Sequence, residues 1–348
     1  MSRRDANLDA IAPNTVPISF VQQLLQGARL ENAQALEALR NEGISAELLH
    51  NAGARVTNQQ YSNLYRSLAR ELDDETPGMF ARPLRGGALK FLCLSVLGAR
   101  NLLAAMRRFT QYFRLLLDDL HFKMSYQGSL VQIALVPNTQ AVAANTYAQE
   151  TMLKLVHGVA SWLAGRKIPL ARVDFSYACP SHASEYLFLF PGPAHFEQPL
   201  TALYFEKADL DVPIRQGQSS LGEFLNRAPS DWMFLTFSER ILSHRVREHL
   251  SKHLAAPVAI EAVAKTFHMS LRSLSRHLGK EGTSFQAIKD ELRRDVAIQQ
   301  LTHTQTPIAI IGEEIGFIDP TTFYRAFKKW TGSPPGAYRR MPFARPGR

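Results

Sequence analysis

Residues 306–340 read TPIAIIGEEIGFIDPTTFYRAFKKWTGSPPGAYRR. Thr306-Pro307 has the form of an N-cap followed by a first-position proline, whose missing N–H has no intrahelical partner to lose. Ile308, Ile311 and Ile315 then share one helical stripe, and Gly316 is placed to end that helix in the left-handed conformation. Asp319-Pro320 repeats the cap-plus-proline signal. Phe323, Ala326, Phe327 and Trp330 follow at i, i+3, i+4, i+7 and face inward, while Thr321, Thr322, Tyr324, Arg325, Lys328 and Lys329 take the other positions. A short helix, a tight turn and a second helix with a polar, basic outer face make a helix-turn-helix unit.

The same grammar stands about 47 residues upstream, a spacing within the range of a duplicated unit. Pro257 opens a helix with Ile260, Val263, Ala264 and Phe267 on its stripe, and His268-Met269 break it. Ser270 is the N-cap of a second helix with Leu271, Leu274 and Leu278 on its buried side and Arg272, Ser273, Ser275 and Arg276 on its outer face. Between the two units, Ser284 caps a longer helix with Phe285, Ile288, Leu292 and Val296 on one side. From 284 to 300 that helix spans roughly 25 Å. With the width of the flanking units, this length suits two recognition helices set about one DNA turn, roughly 34 Å, apart in successive major grooves.

The whole chain has 348 residues, 45% of them apolar, with 40 Lys+Arg against 31 Asp+Glu and a net charge of +9. That length allows two or three domains, and the apolar fraction excludes a disordered or fibrous chain. Residues 238–348 hold 18 Lys+Arg and 10 Asp+Glu, which leaves 22 and 21 for residues 1–237. The excess charge is therefore confined to the last third, the pattern of a near-neutral sensing or assembly region joined to a nucleic-acid-binding one. Two cysteines, Cys93 and Cys179, exclude a disulfide framework and a cysteine-rich zinc site, and fit a reducing compartment. MSRRDANLDA lacks the apolar region of a secretory signal, and the apolar run 88–99 is broken by Lys90 and too short to span a bilayer.

The stretch 268–301, HMSLRSLSRHLGKEGTSFQAIKDELRRDVAIQQL, followed by IGFIDPTTFYRAFKKWTGSPPGAYRR at 315–340, resembles the DNA-binding domain of the AraC/XylS family of bacterial transcription regulators. The second part carries the family's signature: a Gly-Phe, a short helix ending Arg-Ala-Phe-Lys-Lys, a Thr-Gly, a Ser-Pro and a closing Tyr-Arg-Arg. One departure is Gly312, where the family usually has a small helix former. Glycine there costs about 1 kcal/mol of helix propensity and either loosens the helix or permits a close contact. The resemblance places Arg272, Ser275 and Arg276 of the first unit, and Thr321, Thr322 and Arg325 of the second, toward base edges. Arginine's planar fork meets guanine O6 and N7 together, and threonine can bond a base or touch a thymine methyl. Ser270, Lys280, Thr283, Lys328 and Lys329 read as phosphate contacts, which position without reading sequence. The alternative for each lysine is a solvated charge, and for Arg276 and Arg325 a buried structural ion pair.

The first 213 residues read as α+β, helix-rich with a small antiparallel sheet. Residues 16–26, 33–41, 45–51, 58–72, 87–97 and 101–118 look helical. Residues 119–137 read as a hairpin, with Leu120, Phe122, Met124 and Tyr126 alternating and a turn at Gln127-Gly128. Residues 146–164 form a helix with Leu153, Val156, His157 and Ala160 on one side, 168–177 a strand, 182–190 a short helix and 202–205 a strand. The segment 173–214, VDFSYACPSHASEYLFLFPGPAHFEQPLTALYFEKADLDVPI, and the helix LGARNLLAAMRRFTQYFRLL at 97–116 resemble the N-terminal domain of the ornithine-utilisation type of AraC/XylS regulators. That resemblance implies a domain that binds a small effector or mediates self-association. The helix-rich pattern argues against the cupin-like barrel of the family's sugar-sensing members. The aromatics Phe175, Tyr177, Tyr186, Phe188, Phe190, Phe196, Tyr204 and Phe205 are either a pocket wall or ordinary core, and no effector-contacting residue is singled out.

The domain map expected is an effector and dimerisation domain at 1–213, a linker at 214–236, and a DNA-binding domain at 237–340. Within it lie a first helix-turn-helix at 257–280, a connecting helix at 284–300 and a second helix-turn-helix at 306–330. Residues 341–348 form a tail. No phosphate loop, dinucleotide fingerprint or nucleophile elbow is present. His249 and His253 have i, i+4 spacing without a carboxylate or cysteine beside them, so no metal is assigned. His157, His182 and His195 read as isolated structural histidines, and Cys93 and Cys179 as buried inert thiols. A DNA-repair enzyme fused to such a domain needs a metal-bound cysteine cluster that two distant cysteines do not supply. The reading is a one-component regulator, not an enzyme and without cofactor. Its partners are double-stranded operator DNA, an unidentified small effector and RNA polymerase. It is expected to be a cytoplasmic homodimer without membrane contact, nucleoid-associated when bound, and an activator. The alternative is a constitutive dimeric regulator or repressor without an effector.

Overall fold

The computed structural model describes residues 15–180, 182–234, 242–256 and 258–339, apart from the side chains of 184, 187 and 188. Pro257, the Phe188 side chain, Arg340 and the 341–348 tail lie outside the described residues. The chain runs β1 (Thr15–Pro17), α1 (Ile18–Ala28), α2 (Asn32–Asn41), a 3-10 turn (Ala46–His50), β2 (Arg55–Thr57), α3 (Asn58–Glu71), α4 (Ala88–Leu97) and α5 (Leu102–Leu116). Next come β3 (Leu120–Gln127), β4 (Leu130–Pro137), α6 (Gln140–Ala144), α7 (Thr146–Ala164), β5 (Arg172–Asp174), a 3-10 turn (Ala183–Glu185), α8 (Tyr186–Leu189), β6 (Ala194–His195) and β7 (Thr201–Glu206). After α9 (Lys207–Leu210), α10 (Gln218–Arg227) and α11 (Ser230–Met233) it closes with α12 (Leu242–Ser251), α13 (Ile260–Thr266), α14 (Leu271–Lys280), α15 (Phe285–His303), α16 (Ile308–Glu314), α17 (Pro320–Thr331) and a 3-10 helix (Pro335–Tyr338). Two compact units result, one from Met1–Gln22, Glu31–Tyr61 and Thr236–Arg348, the other from Gln23–Leu30 and Ser62–Leu235.

The unit built on 62–235 is a five-stranded sheet in the order β3-β4-β7-β5-β6, antiparallel except for the β5–β6 pair. Leu120 and Phe122, Val131, Ile133 and Leu135, and Leu203 and Phe205 are buried along its strands, with Phe109 and Phe113 of α5 edge-on to Phe122 at 5.6 and 5.8 Å. The inward alternation of β3 ends before the hairpin, because Tyr126 is exposed and bonded to Arg107 of α5. Asn101 and Asn145 cap α5 and α7 by accepting the amides of Ala104 and Ala148. Almost every residue of α7 is buried, not one side alone. The reason is that the stretch expected as a linker folds back as α10 and α11. Leu221, Phe224, Trp232 and Met233 are buried there, and Phe224 stacks on Trp162 of α7 at 4.4 Å. The expected strand 168–177 shortens to β5, since Pro169 has no N–H to give a ladder and the backbone leaves the strand after Asp174. Cys93 is buried, and burial pushes its thiol up to about 12. Cys179 is exposed, against expectation, because it follows that early strand end.

In the other unit, residues 15–22 and 31–61 join residues from 242 to 339. Residues expected together at 1–213 are thus shared between the two units. Val16, expected in a helix, lies in β1, paired antiparallel to β2 in the register Val16↔Val56. It precedes Pro17, and a residue before proline is pushed out of the α region. Both strands pack on α15. There Asp295, buried to 2% side-chain exposure, accepts from the Thr15 hydroxyl at 2.6 Å, from Arg247 of α12 at 2.7 Å, and from Arg294 at 3.1 Å. Arg55 of β2 closes the knot with bonds to the Thr15 hydroxyl at 2.8 Å and the Thr15 carbonyl at 2.9 Å. Burial alone would raise the Asp295 carboxyl, but Arg294, Arg247 and Arg55 hold it below its ordinary value. A second seam runs nearby: the Arg55 amide donates to the Tyr338 hydroxyl at 3.1 Å, and Asn51 donates to the Ser333 hydroxyl at 2.6 Å.

Two outcomes follow from this packing. Gly158 of α7 meets α11 so closely that a Cβ there would lie 2.4 Å from the Trp232 Cβ and 2.5 Å from its carbonyl oxygen. Gly158→Ala therefore destabilises the chain by about 1–3 kcal/mol, measured by urea unfolding, despite the better helix former. Asp295→Asn strands buried guanidinium groups and costs about 3–5 kcal/mol at neutral pH. The wild-type contribution is complete above the unfolded carboxyl's value of about 3.8 and is lost as pH falls through the lower folded value. The stability gap between wild type and Asn variant should thus narrow in acid, checked by unfolding curves across pH.

Candidate nucleic-acid interface

The two helix-turn-helix units are built alike. In the first, Val246, Leu250, Val263, Ala264, Leu274, Leu278, Ile288 and Leu292 form one core shared by α12 to α15. In the second, Ile311, Ile315, Phe323 and Phe327 are buried with Ile298 and Leu301 of α15. Both turns close as Schellman motifs. The amides of Gly316 and Phe317 donate to the carbonyls of Glu313 and Gly312, both at 2.9 Å, and those of His268 and Met269 to Lys265 and Ala264 at 3.0 and 2.9 Å. The left-handed residue is Gly316 (φ +86°) in one and His268 (φ +53°) in the other. Gly312 proves to be the close-contact case: a Cβ there would sit 3.1 Å from the Phe323 ring.

Ser270, Ser284 and Asp319 cap α14, α15 and α17 as expected, accepting the amides of Ser273, Ala287, and Thr321 with Thr322. Thr306 does not cap α16. Pro307 itself is the N-cap, extended at ψ 139°, and the helix starts at Ile308. The connecting helix runs to His303 rather than 300. Leu271 is 44% exposed rather than buried, because as the first residue of α14 it projects past the end of the core.

Arg272, Ser275, Arg276 and Lys280 are exposed on α14, and Thr321, Thr322, Arg325, Lys328 and Lys329 on α17. Arg272, Arg276 and Lys280 are spaced i, i+4, as are Thr321, Arg325 and Lys329, so each helix gathers its candidates on one ridge. Ser270 is exposed at the start of α14, and Thr283 is half-buried beyond its end. Among the described residues none of these cations is held in an ion pair, so the buried-pair alternative does not describe Arg276 or Arg325. Two hydroxyls are partly committed. The Thr322 hydroxyl donates to Asp319 at 2.8 Å, and Ser270 accepts the Ser273 amide at 3.2 Å. Thr322 keeps its acceptor lone pair and methyl, and Ser270 keeps its O–H.

Other side chains, some without a sequence signature of their own, hold these helices in place. Glu281 accepts the first amides of α12, those of Leu242 and Ser243, at 3.0 and 2.8 Å. Arg293 of α15 covers the Phe317 ring at 4.9 Å and donates to the Gly316 carbonyl at 3.2 Å. In the closing Tyr-Arg-Arg, Tyr338 packs edge-on to Phe327 at 5.2 Å, and Arg339 donates to the carbonyls of Thr304 and Thr306 ahead of α16. Those two signature residues therefore serve the fold.

In the other unit the aromatics converge on a carboxylate. Glu150 of α7, 4% exposed, accepts from the hydroxyls of Tyr186 and Tyr177, the latter at 3.0 Å, with His182 Nε2 at 3.3 Å. Phe175 stacks with Tyr186 at 4.7 Å and with Phe196 at 5.4 Å. Burial, then the Glu150 charge, pushes both tyrosines up. Burial opposes protonation of His182, and Glu150 outweighs it. His182 and His195, which lies 3.7 Å from Asp174, are therefore not isolated. His157 is, as expected, a core histidine, with Nε2 2.8 Å from the Ile168 carbonyl. The ring of His249 on α12 lies 5.2 Å from that of His253 just beyond the helix, the two tilted, and is edge-on to Phe267. No described helix is long and apolar enough to cross a membrane.

Comparison with known proteins gives this arrangement its setting. Residues 33–214 match the arabinose-binding domain of AraC transcription regulators, N-terminal, and residues 263–341 match a helix-turn-helix domain. The chain is 28% identical over 329 residues to the ornithine utilization regulator of Pseudomonas aeruginosa, covering 94% of this chain and 97% of that one. It is 36% identical over 104 residues to the arabinose operon regulatory protein of Escherichia coli, covering 28% and 35% of the two chains. It is 29% identical over 148 residues to the transcriptional activator NphR of a Rhodococcus species, covering 40% and 44%. With two family matches lying on the two regions that the sequence motifs marked, the chain belongs to the AraC family of transcription regulators: it is a DNA-binding regulator with an arabinose-binding-type N-terminal domain and a helix-turn-helix DNA-binding domain.

Proposed function

We propose that this regulator is an effector-responsive activator that works as a cytoplasmic homodimer, binds its operator through α14 and α17 in successive major grooves, and contacts RNA polymerase. Arg272, Ser275 and Arg276 read bases from the first unit, and Thr321, Thr322 and Arg325 from the second. Ser270, Lys280, Thr283, Lys328 and Lys329 hold phosphates. The observation that carries this reading is the pair of like-built helices, each with an exposed ridge of cations that no carboxylate neutralises among the described residues. Exposed, unpaired arginines are spare donors in the folded chain, and DNA supplies acceptors at the matching spacing. The nineteen-residue α15 spans about 28 Å, a length compatible with helices placed about one DNA turn apart.

Effector binding and self-association fall to the region matched over 33–214. The ornithine utilization regulator is named for the utilization of an amino acid, and NphR is named an activator. Those names support an effector-dependent activator here, with the effector's identity open to screening.

Mobility shifts on an operator obtained by selection from random duplexes test the assignment. Arg276→Ala weakens specific binding by about 1–3 kcal/mol and relaxes preference at one base pair. Lys328→Ala weakens binding to all sequences alike and lowers the salt slope by about 1, since one fewer phosphate counterion is released. An Arg276→Ala protein with unchanged operator preference would remove that residue from the reading set.

A further inference from the structure

Ile318 has no place in the core of the second unit. It is 100% exposed, whereas the other exposed large apolar side chains of that helix-turn-helix among the described residues, Ile310 and Tyr324, are 40% and 41% exposed. The residue before an N-cap ordinarily packs against the fourth residue of the helix, closing a hydrophobic staple. With Asp319 as N-cap, that fourth residue is Phe323. The contact is already taken. The Phe317 ring lies 5.6 Å from Phe323 and 5.8 Å from Trp330, and the Arg293 guanidinium covers it at 4.9 Å. Phe317 thus faces inward, and the next side chain is left in water at the mouth of α17.

That position has a chemical meaning. Ile318 stands at the N-terminal end of α17, one residue before the cap and a few before the exposed Thr321, Thr322 and Arg325. The N-terminal residues of a recognition helix meet base edges. In the major groove the apolar group that a base pair presents is the C5-methyl of thymine. A β-branched side chain held on a capped turn is stiff, so it loses little freedom when it packs on a methyl. We infer that Ile318 is a specificity determinant of the second unit, packing on a thymine methyl beside the base pair that Arg325 reads. This rests on the placement of α17 in the major groove proposed above.

The test uses the full chain and duplexes selected from a random library. Wild type should enrich thymine at a position flanking the one lost on Arg325→Ala, and Ile318→Ser should lose that thymine while keeping the rest of the site. Replacing the thymine by deoxyuridine, which lacks only the methyl, should weaken wild type about fourfold and Ile318→Ser hardly at all. Ile318→Val, which keeps the branch, should retain most of the preference. Equal losses on deoxyuridine for wild type and Ile318→Ser would overturn the assignment, as would an unchanged site for the serine variant. Normal binding by Ile318→Ser combined with lost transcription would place the residue on RNA polymerase instead, and also overturn it. If Arg325→Ala selects the wild-type site, α17 itself does not read DNA, and the failure belongs to the earlier reading.

Discussion

The buried carboxylate of Asp295 is the constraint on which the DNA-binding unit is organised. A carboxylate taken out of water carries a penalty of several kcal/mol, which is recovered only where charge and hydrogen bonds surround it. Here the surroundings come from four places along the chain: Thr15, Arg55, Arg247 and Arg294. Helix α15 therefore has a single position against α12 and the β1–β2 pair, and α15 is the element from which both helix-turn-helix cores are hung.

Around that anchor, structural and reading roles are separated on the same helices. On α17, Phe323 and Phe327 go into the core while Arg325 and Lys328 stay out, an alternation that the 3.6-residue period supplies without further design. The two turns differ in one respect. Gly316 takes a left-handed conformation at no steric cost, whereas His268 takes the same conformation with a side chain attached. The first turn is thus the more strained of two otherwise equivalent joints.

What could be read from sequence was whatever local chemistry decides. Ser270, Ser284 and Asp319 announced their helices because a cap acts within four residues. Gly316 marked its turn because few other residues adopt that backbone conformation, and α7 has the expected bounds 146–164, which the structure shows to be set by the Asn145 cap and the left-handed Gly165. What could not be read depended on partners far along the chain. Asp295 sits in Arg-Arg-Asp, which looks like a solvated charge run until Thr15, 280 residues away, is laid beside it. The all-round burial of α7 depends on α11 packing at Gly158, and 214–236 looked like a linker because its four buried apolar residues are diluted by polar ones. Val16 lies in β1 and not in the expected helix for a local reason: the proline after it disfavours the α region. In the candidate interface the outer ridges of α14 and α17 were legible from periodicity. The supporting Arg293, Glu281 and Arg339 were not, because they act through backbone groups that carry no sequence signature.

The interleaving of the two units also sets an order of events during synthesis. Residues 62–235 emerge as one uninterrupted segment that contains nearly all of its own unit, and domains generally fold as units while the chain is still being made. The β1–β2 pair leaves the ribosome earlier still, yet Thr15 meets a partner on α15 that follows it by 280 residues, and Arg55 meets Tyr338, which follows it by 283. Thr15 must therefore wait for another 280 residues to be made before Asp295 exists to receive it. The DNA-binding unit can reach its final form only once Asp295 and Tyr338 have been made, so a chain stopped before them that kept its N-terminal domain would lack a finished DNA-binding unit.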